Sequence, residues 1–186
     1  MTHHDRPAWS PRTPPPGGRL AVPPDPGQES VWDYPRPPAV QPSTEHVLVL
    51  LGTTVVADTR RALRVLETSH PPTYYLPVAD ITDGALVAVA APTTVCEFKG
   101  RATYADVVGR DEDGGRVVAP AGAWTYPEPS PGYQALIGHV AFYPGRMTLC
   151  TVDGEPVRPQ PGAFYGGWCT HRVVGPFKGE ASTRGW

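Results

Sequence analysis

The sequence contains no run of apolar residues that approaches the ~18 needed to span a bilayer. Residues 1–7 also contain no apolar stretch of the roughly 7–15 residues that a secretory signal requires, so we expect a cytoplasmic protein. Basic charge is scarce as well, because 16 lysines and arginines face 18 acidic residues. A nucleic-acid or membrane surface needs a local excess of basic charge, and we therefore predict neither partner.

Cysteine is equally sparse, with Cys96, Cys150 and Cys169 as its three positions. An odd number without a secretory signal indicates free thiols and not a disulfide framework. Glycine-rich phosphate loops, metalloprotease helices and serine-nucleophile elbows are missing from the sequence, which removes several enzyme classes from consideration.

Proline and glycine are abundant, with 25 and 20 residues, and nearly half of the prolines precede Glu45. Residues 1–44 have little apolar periodicity, so they cannot bury enough surface to offset the entropy of ordering. We predict a proline-rich, largely disordered arm over this range. The run 31–34 contains Trp32 and Tyr34 and leaves two alternatives open: a strap on the folded body, or part of a solvated tail.

Residues 45–157 carry the signals of a small antiparallel β domain with one short helix. Segments 47–51 and 54–56 flank Gly52-Thr53, which suits a type II′ hairpin turn. The run from Asp58 to Leu66 mixes arginines with apolar residues and predicts the helix, capped by Asp58. Turn residues separate further short β-like segments. These segments are 73–76, 85–90, 93–98, 102–108, 116–119, 123–126, 137–142 and 147–152. Residues 158–186 are predicted to form an irregular tail packed on the domain.

A Pro-Gly dipeptide at 144–145 predicts a second hairpin. With this turn at its centre, Phe142 faces Met147 on the core side of the hairpin. On the opposite side His139 faces Cys150, because side chains alternate with period two.

Four runs, in order, resemble the bacterial family catalogued as domain of unknown function 427. They read ADTRRALRVLETSHPPTYYLP at 57–77, CEFKG at 96–100, AWTYP at 123–127 and VAFY at 140–143. The resemblance covers about residues 45–157 and implies a small antiparallel β-tent-like architecture. Relatives with this architecture often hold zinc with two Cys-x-x-Cys knuckles, which this chain lacks, so the resemblance implies a zinc-free domain. It implies no activity, because function depends on sites and not on folds.

Cys96 is the first candidate for chemistry. A nucleophilic thiol must be ionised, and an ammonium group from Lys99 within a few ångströms would favour the thiolate. Residues three apart in a strand point to opposite faces, so this contact needs a bend at Gly100. Glu67 could orient either group. The alternative is a small buried cysteine and a surface lysine.

Aromatic residues with polar tips are the second candidate, because such residues line many ligand pockets. Trp124 and Tyr126 share one face of their predicted strand, and Cys96 and Phe98 share one face of theirs. If these faces meet around a cavity, Cys96 lies in an aromatic pocket. Its aromatic residues would be Tyr74, Tyr75, Phe98, Tyr104, Trp124 and Tyr126. The alternative is ordinary core packing.

The His139–Cys150 pair is a third candidate, because opposed Cβ atoms lie roughly 4.5–5.5 Å apart. Both residues depart from what the resemblance leads us to expect at these positions, which weakens any role shared with the family. Adding Cys169 and His171 fits no standard metal-ligand spacing, and we predict no metal and no cofactor. Three arginines, Arg60, Arg61 and Arg64, fit a solvated helix face better than an anion site.

Two functional hypotheses remain. The first is a small-molecule-binding protein or enzyme whose aromatic pocket surrounds Cys96, with Lys99 and Glu67 as partners in thiol-dependent or acid–base chemistry. The second is a non-catalytic interaction module that presents its proline-rich arm and its tail to a protein partner.

Overall fold

The computed structural model describes residues 21–90, 93–162, 164–179 and 183. The described residues form a mostly β structure, which confirms the predicted fold class. Its strands are β1 (Glu29–Ser30), β2 (Ala39–Pro42), β3 (Val47–Leu51), β4 (Thr54–Thr59), β5 (Leu63–Leu66), β6 (Thr73–Pro77), β7 (Leu86–Ala88), β8 (Thr94–Cys96), β9 (Gly100–Arg110), β10 (Arg116–Thr125), β11 (His139–Phe142), β12 (Leu149–Val152), β13 (Glu155–Pro156), β14 (Arg158–Pro159), β15 (Trp168–Cys169) and β16 (Val173–Val174). Short 3-10 helices span Val31–Asp33, Val78–Asp80, Gln134–Leu136 and Pro144–Arg146. Among the residues described, no helix is both long and apolar enough to cross a membrane.

Two antiparallel sheets make up the body. The larger sheet has the order β2-β5-β6-β11-β10-β9-β7, and β8 pairs with the first residues of β9. The smaller sheet has the order β13-β12-β3-β4. Strand β10 contains a register shift between Ala119 and Ala123, where Ala121 has a φ of 45°. Such a bulge bends its strand and increases the local twist, which gives the larger sheet a curl.

The main core lies between the two sheets. Strand β3 buries alternate residues, Val47, Val49 and Leu51, against Leu76 and Phe142 of the larger sheet. Because side chains alternate along a strand, the neighbours of the core-facing residues in the larger sheet point to its opposite face. That second face carries the candidate site.

The first predicted hairpin is confirmed. Leu51 pairs with Thr54 around Gly52-Thr53, and Gly52 has the positive φ, 61°, that the first central position of a type II′ turn requires. A Cβ atom at Gly52 would lie 2.0 Å from the carbonyl oxygen of Arg110. The glycine therefore also permits this turn to pack directly on the end of β9.

Replacing Gly52 by alanine is expected to cost about 1–3 kcal/mol more in the free energy of unfolding than replacing Gly84, because only Gly52 also meets a backbone oxygen. Gly84 is the matched control, since its φ is 76° and a Cβ atom there would have no neighbour within 4 Å. Urea denaturation of both variants measures the difference. Equal losses would contradict the close approach of Arg110.

The helix predicted from Asp58 to Leu66 is wrong. Strand β4 continues through Asp58 to Thr59, and Leu63–Leu66 forms strand β5 between β2 and β6. A run this short fits the 3.6-residue period of a helix as well as the two-residue period of a strand. Pairing with strands on both sides of β5 selects the extended form. Side chains of β5 then alternate: Val65 faces the cavity, while Arg64 is largely buried against Glu29.

The arginines consequently do not form one solvated helix face. Arg61 is exposed and pairs with Asp80, whereas the Nη2 atom of Arg64 lies 2.5 Å from Oε2 of Glu29. Arg60 is exposed, and its guanidinium donates to the carbonyl oxygen of Thr44.

The second predicted hairpin is also wrong. His139 pairs with Pro77 in the larger sheet, and Cys150 pairs with Val49 in the smaller one, so the predicted His139–Cys150 pair does not form. Pro144 begins a 3-10 helix that separates the two strands, and each finds a partner far away in sequence. Phe142 is nevertheless buried between the sheets, as its predicted position on the core face requires.

Residues 29–42 of the predicted arm are part of the fold. We name this segment the strap. Its first strand, β1, pairs in parallel with β16 of the tail, and β2 forms the edge of the larger sheet. Trp32 is buried and its indole N–H donates to the carbonyl oxygen of Pro176 at 2.9 Å. Of the two alternatives for residues 31–34, the structure therefore shows the strap and not a solvated tail. Residues 1–20 of the predicted arm lie outside the described residues.

Candidate functional site

A cavity of about 240 Å³ lies on the second face of the larger sheet, opposite the main core. Its floor is built by residues of β5, β6, β9 and β10 and by Tyr126, which directly follows β10. Tyr75 lies between the core residues Tyr74 and Leu76, and Trp124 follows the core residue Ala123. The floor residues are Val65, Thr73, Tyr75, Ala102, Tyr104, Trp124 and Tyr126.

The aromatic side chains of the cavity contact one another in fixed geometries. The indole N–H of Trp124 donates to the hydroxyl oxygen of Tyr75 at 3.1 Å, with the two rings arranged edge to face. On another side, the ring centroids of Trp124 and Tyr143 are 4.4 Å apart. Tyr126 lies 6.3 Å from Tyr75, centroid to centroid. These contacts hold the walls of the cavity in place.

Residues 164–166 of the tail cover the side of the cavity that faces away from the sheet. A Cβ atom at Gly166 would lie 2.1 Å from the indole ring of Trp124, so only glycine allows the chain to pass here. Phe164 and Tyr165, on the same stretch, also line the cavity. Residues of the tail and residues of the central strands thus enclose one space.

Cys96, Lys99 and Glu67 all line this cavity and lie close together, and we name the part that they form the polar end. The bend predicted at Gly100 is present, with a φ of 95°. It brings the backbone N–H of Lys99, and not the predicted ammonium group, to the sulfur of Cys96 at 3.5 Å. The Lys99 ammonium lies 3.7 Å from the Glu67 carboxylate. The three residues predicted to act together therefore share one cavity, but with Glu67 as the ion partner of Lys99.

His70 also lines the cavity and was not predicted as a site residue. The side-chain amide of Gln160 donates to Nδ1 of His70 at 2.9 Å and to the carbonyl oxygen of Lys178 at 2.7 Å. Burial, together with the positive charges of Lys178, Lys99 and Arg36, lowers the pKa of His70 to about 4. The imidazole is therefore neutral at pH 7.

The phenol groups around Cys96 are held in their protonated form. Burial, followed by the proximity of Cys96, raises the pKa of Tyr126. Burial, with a smaller effect of Tyr104, raises the pKa of Tyr143 to about 12. Burial also raises the pKa of Tyr75. At neutral pH these hydroxyls can donate hydrogen bonds, but they supply no phenolate base.

The rim of the cavity combines one ion pair with two exposed apolar side chains. Arg36, from the strap, pairs with Glu97 at 2.6 Å and lies over the ring of Phe98. Val95 and Phe164 are each 71% exposed. The rim therefore leaves apolar surface open to the solvent beside the entrance.

Tyr74 does not belong to the pocket to which we assigned it. It points into the main core, packs against Trp168, and its hydroxyl donates to Glu45. Adjacent strand residues face opposite sides, so Tyr74 and Tyr75 cannot both line the cavity. The other predicted aromatic residues, Phe98, Tyr75, Tyr104, Trp124 and Tyr126, all line it.

The predicted pair of His139 and Cys150 is not part of a site. His139 places Nδ1 3.1 Å from the carbonyl oxygen of Ile137, whereas Cys150 is buried in the main core. Burial raises the pKa of the Cys150 thiol to about 12. Within the described part of the chain, no three His, Cys, Asp or Glu side chains are grouped closely enough to hold a metal ion.

The comparison with protein families identifies one match, described as "Domain of unknown function (DUF427)", over residues 39–153. This range begins at β2 of the strap and includes Glu67, Cys96, Lys99 and Trp124. It ends before the tail residues Gln160 and Lys178 that complete the cavity. No curated protein matches the chain. Because the matched range covers more than half of its residues, the chain belongs to the DUF427 family.

Proposed function

We propose that the protein binds a small molecule with a planar, largely apolar body in the cavity above Trp124. The observation that carries this proposal is an unfilled space enclosed by aromatic side chains, with a buried lysine at one end. The space of about 240 Å³ is a cleft with an entrance beside Val95 and Phe164. Clefts lined by aromatic side chains and a few polar groups are the usual sites for small molecules.

The size of the cavity favours a ligand with one or two rings. Pockets for drug-sized ligands have volumes of roughly 300–1,000 Å³, and this one lies just below that range. Aromatic pairs contribute about 0.5–1.5 kcal/mol beyond the burial of their area. Trp124, Tyr75 and Tyr126 would supply such contacts to a planar ligand.

A thiol-dependent reaction is a second candidate for the same cavity. It is favoured by the position of the Cys96 sulfur, which lines the cavity and accepts a hydrogen bond from the backbone N–H of Lys99 at 3.5 Å. Glu67 and Lys99 lie beside this sulfur on the cavity wall and could orient a substrate.

An interaction module that uses the arm and the tail has less support. Strap residues 29–42 are paired with other strands, and Trp168 of the tail is fully buried, so these segments are occupied within the chain itself. A cytoplasmic location, and the absence of nucleic-acid and membrane partners, stay predictions from the sequence.

The wild-type chain is expected to bind at least one compound among phenol, indole and 2-naphthol, and Trp124→Leu is expected to weaken that binding at least tenfold. The reason is the loss of the largest aromatic face in the cavity. Isothermal titration calorimetry measures the affinities. Tyr74→Phe is the control, because Tyr74 lies in the same sheet but faces the main core, and it should leave binding unchanged.

Two results would count against the proposal. The first is that none of the three compounds binds to the wild-type protein. The second is that Trp124→Leu, shown to be folded by circular dichroism, binds them as tightly as the wild type.

A further inference from the structure

We propose that the ligand is an aromatic carboxylate, whose charged group lies against Lys99 while its ring lies against the aromatic floor. This inference rests on the proposed function of the cavity and specifies the chemical class of its ligand. It is carried by Lys99, by the charges around the cavity and by the tautomer of His70.

Lys99 is a largely buried residue whose ammonium group has no hydrogen bond to a protein atom among the described residues. Its exposed fraction is only 9%, although it carries three N–H donors. In the residues that the structure describes, Glu67 is the one carboxylate within 4.0 Å of its Nζ atom, at 3.7 Å. A charge-assisted hydrogen bond measures about 2.7–2.9 Å, so this pair is not in direct hydrogen-bonding contact. The three N–H donors of Lys99 are therefore available to an oxygen atom of a ligand in the cavity.

The charges near the polar end favour an anion. Among the described residues that line the cavity, Arg36, Lys99 and Lys178 are cations, and Glu67 and Glu97 are carboxylates. One of these carboxylates, Glu97, is exposed at the rim and paired with Arg36. Besides burial, these three cations lower the pKa of His70, and the hydrogen bond from Gln160 opposes them. Cations near His70 favour a negatively charged group over a neutral one at this place.

His70 supplies a second donor. The carbonyl oxygen of Lys178 can only accept a hydrogen bond, so the atom of Gln160 that contacts it is the amide nitrogen. The same nitrogen donates to Nδ1 of His70, which must then be the unprotonated ring nitrogen. Nε2 of the neutral imidazole consequently carries the proton and is left as an N–H donor.

Two donors of this kind match the two oxygens of a carboxylate. Lys99 would neutralise the charge, and the N–H of His70 would fix the orientation of the group. The Glu67 carboxylate beside Lys99 disfavours a doubly charged group such as a phosphate monoester. The ring of the ligand would extend towards Trp124, Tyr75 and Tyr126. The hydroxyl groups of the two tyrosines stay protonated.

The test compares ligands that differ only in charge, with the full chain and isothermal titration calorimetry at pH 7.5. Indole-3-carboxylate is expected to bind at least tenfold more tightly than the uncharged indole-3-carboxamide. Lys99→Met is expected to remove this preference and to change the affinity for the carboxamide less than threefold. Arg101→Met is the matched control, because it removes one positive charge from β9 at a side chain that does not line the cavity. It should keep the preference.

The outcomes separate this inference from the proposed function. Equal affinities of the wild type for carboxylate and carboxamide would overturn the anion preference and leave an aromatic-binding cavity. If neither indole-3-carboxylate nor indole-3-carboxamide binds although phenol or 2-naphthol does, this inference falls alone. If none of these compounds binds, both fall. A tenfold preference that persists in Lys99→Met would overturn the role of Lys99. A second arm compares phenyl phosphate with benzoate, and tighter binding of the phosphate would overturn the assignment to carboxylates. The wild-type comparisons need no variant, so they decide the result even if Lys99→Met fails to fold.

Discussion

Cys96 is expected to react with iodoacetamide at pH 8 at least 100-fold faster than Cys150 or Cys169. Burial raises the pKa of Cys150 to about 12 and that of Cys169 to about 11. At pH 8 their thiolate forms are then about one part in 10⁴ and one part in 10³, and only the thiolate reacts. Cys96, in contrast, lines the cavity and is partly exposed.

Mass spectrometry of peptides from time-resolved labelling measures the three rates. The control is the same reaction in denaturant, where all three cysteines should react at similar rates. Equal and slow labelling of all three in the folded protein would contradict an accessible thiol in the cavity. It would also remove the support for a thiol-dependent reaction.

Replacing Trp32 by alanine is expected to lower the free energy of unfolding by about 3–5 kcal/mol, the usual cost of removing a large buried aromatic side chain. Trp32 is only 3% exposed and packs with Val31, Tyr34, Leu66 and Val173. The change also leaves the carbonyl oxygen of Pro176 without its indole donor. Urea denaturation measures the loss.

The matched control for the strap is Val22→Ala, because Val22 lies just before it and is 47% exposed. Val22→Ala should change the free energy of unfolding by no more than about 0.5 kcal/mol, as is usual for surface substitutions. A loss of less than 1 kcal/mol for Trp32→Ala would indicate that residues 31–34 do not hold the strap on the body.

The strands and the face of the site could be predicted because they depend on local alternation. Period two places Trp124 and Tyr126 on one face. It was also used to place Phe98 beside Cys96, but β8 ends at Cys96 and Phe98 lies in the turn that follows, so alternation does not explain its position. The structure shows that these residues line one cavity. The bend at Gly100 was predictable too, because only a departure from the extended backbone could connect Cys96 with Lys99.

The errors have one physical cause, which is pairing between residues far apart in sequence. The run that contains Leu63 and Val65 fits a helix and a strand equally well, and the strands on both sides decide. A Pro-Gly dipeptide predicts a hairpin, yet β11 and β12 pair in different sheets. Local sequence contains no information on either choice.

Long-range contacts also explain why part of the site was missed. His70 lies 90 residues before Gln160, the residue that sets its tautomer. The average composition of residues 1–44 similarly conceals the short apolar stretch around Trp32 that packs on the body. Tyr74 and Tyr75 are neighbouring residues of the same type, and only the structure shows which of them faces the cavity.

A titration with indole, followed by amide chemical shifts in nuclear magnetic resonance spectra, tests the central claim most directly. We predict that the largest shift changes fall on cavity residues of the larger sheet and the tail, such as Tyr75, Cys96, Trp124 and Gly166. Strands β3 and β4 of the smaller sheet should change little. Shift changes of equal size in both sheets, or none at millimolar indole, would contradict a ligand-binding cavity above Trp124.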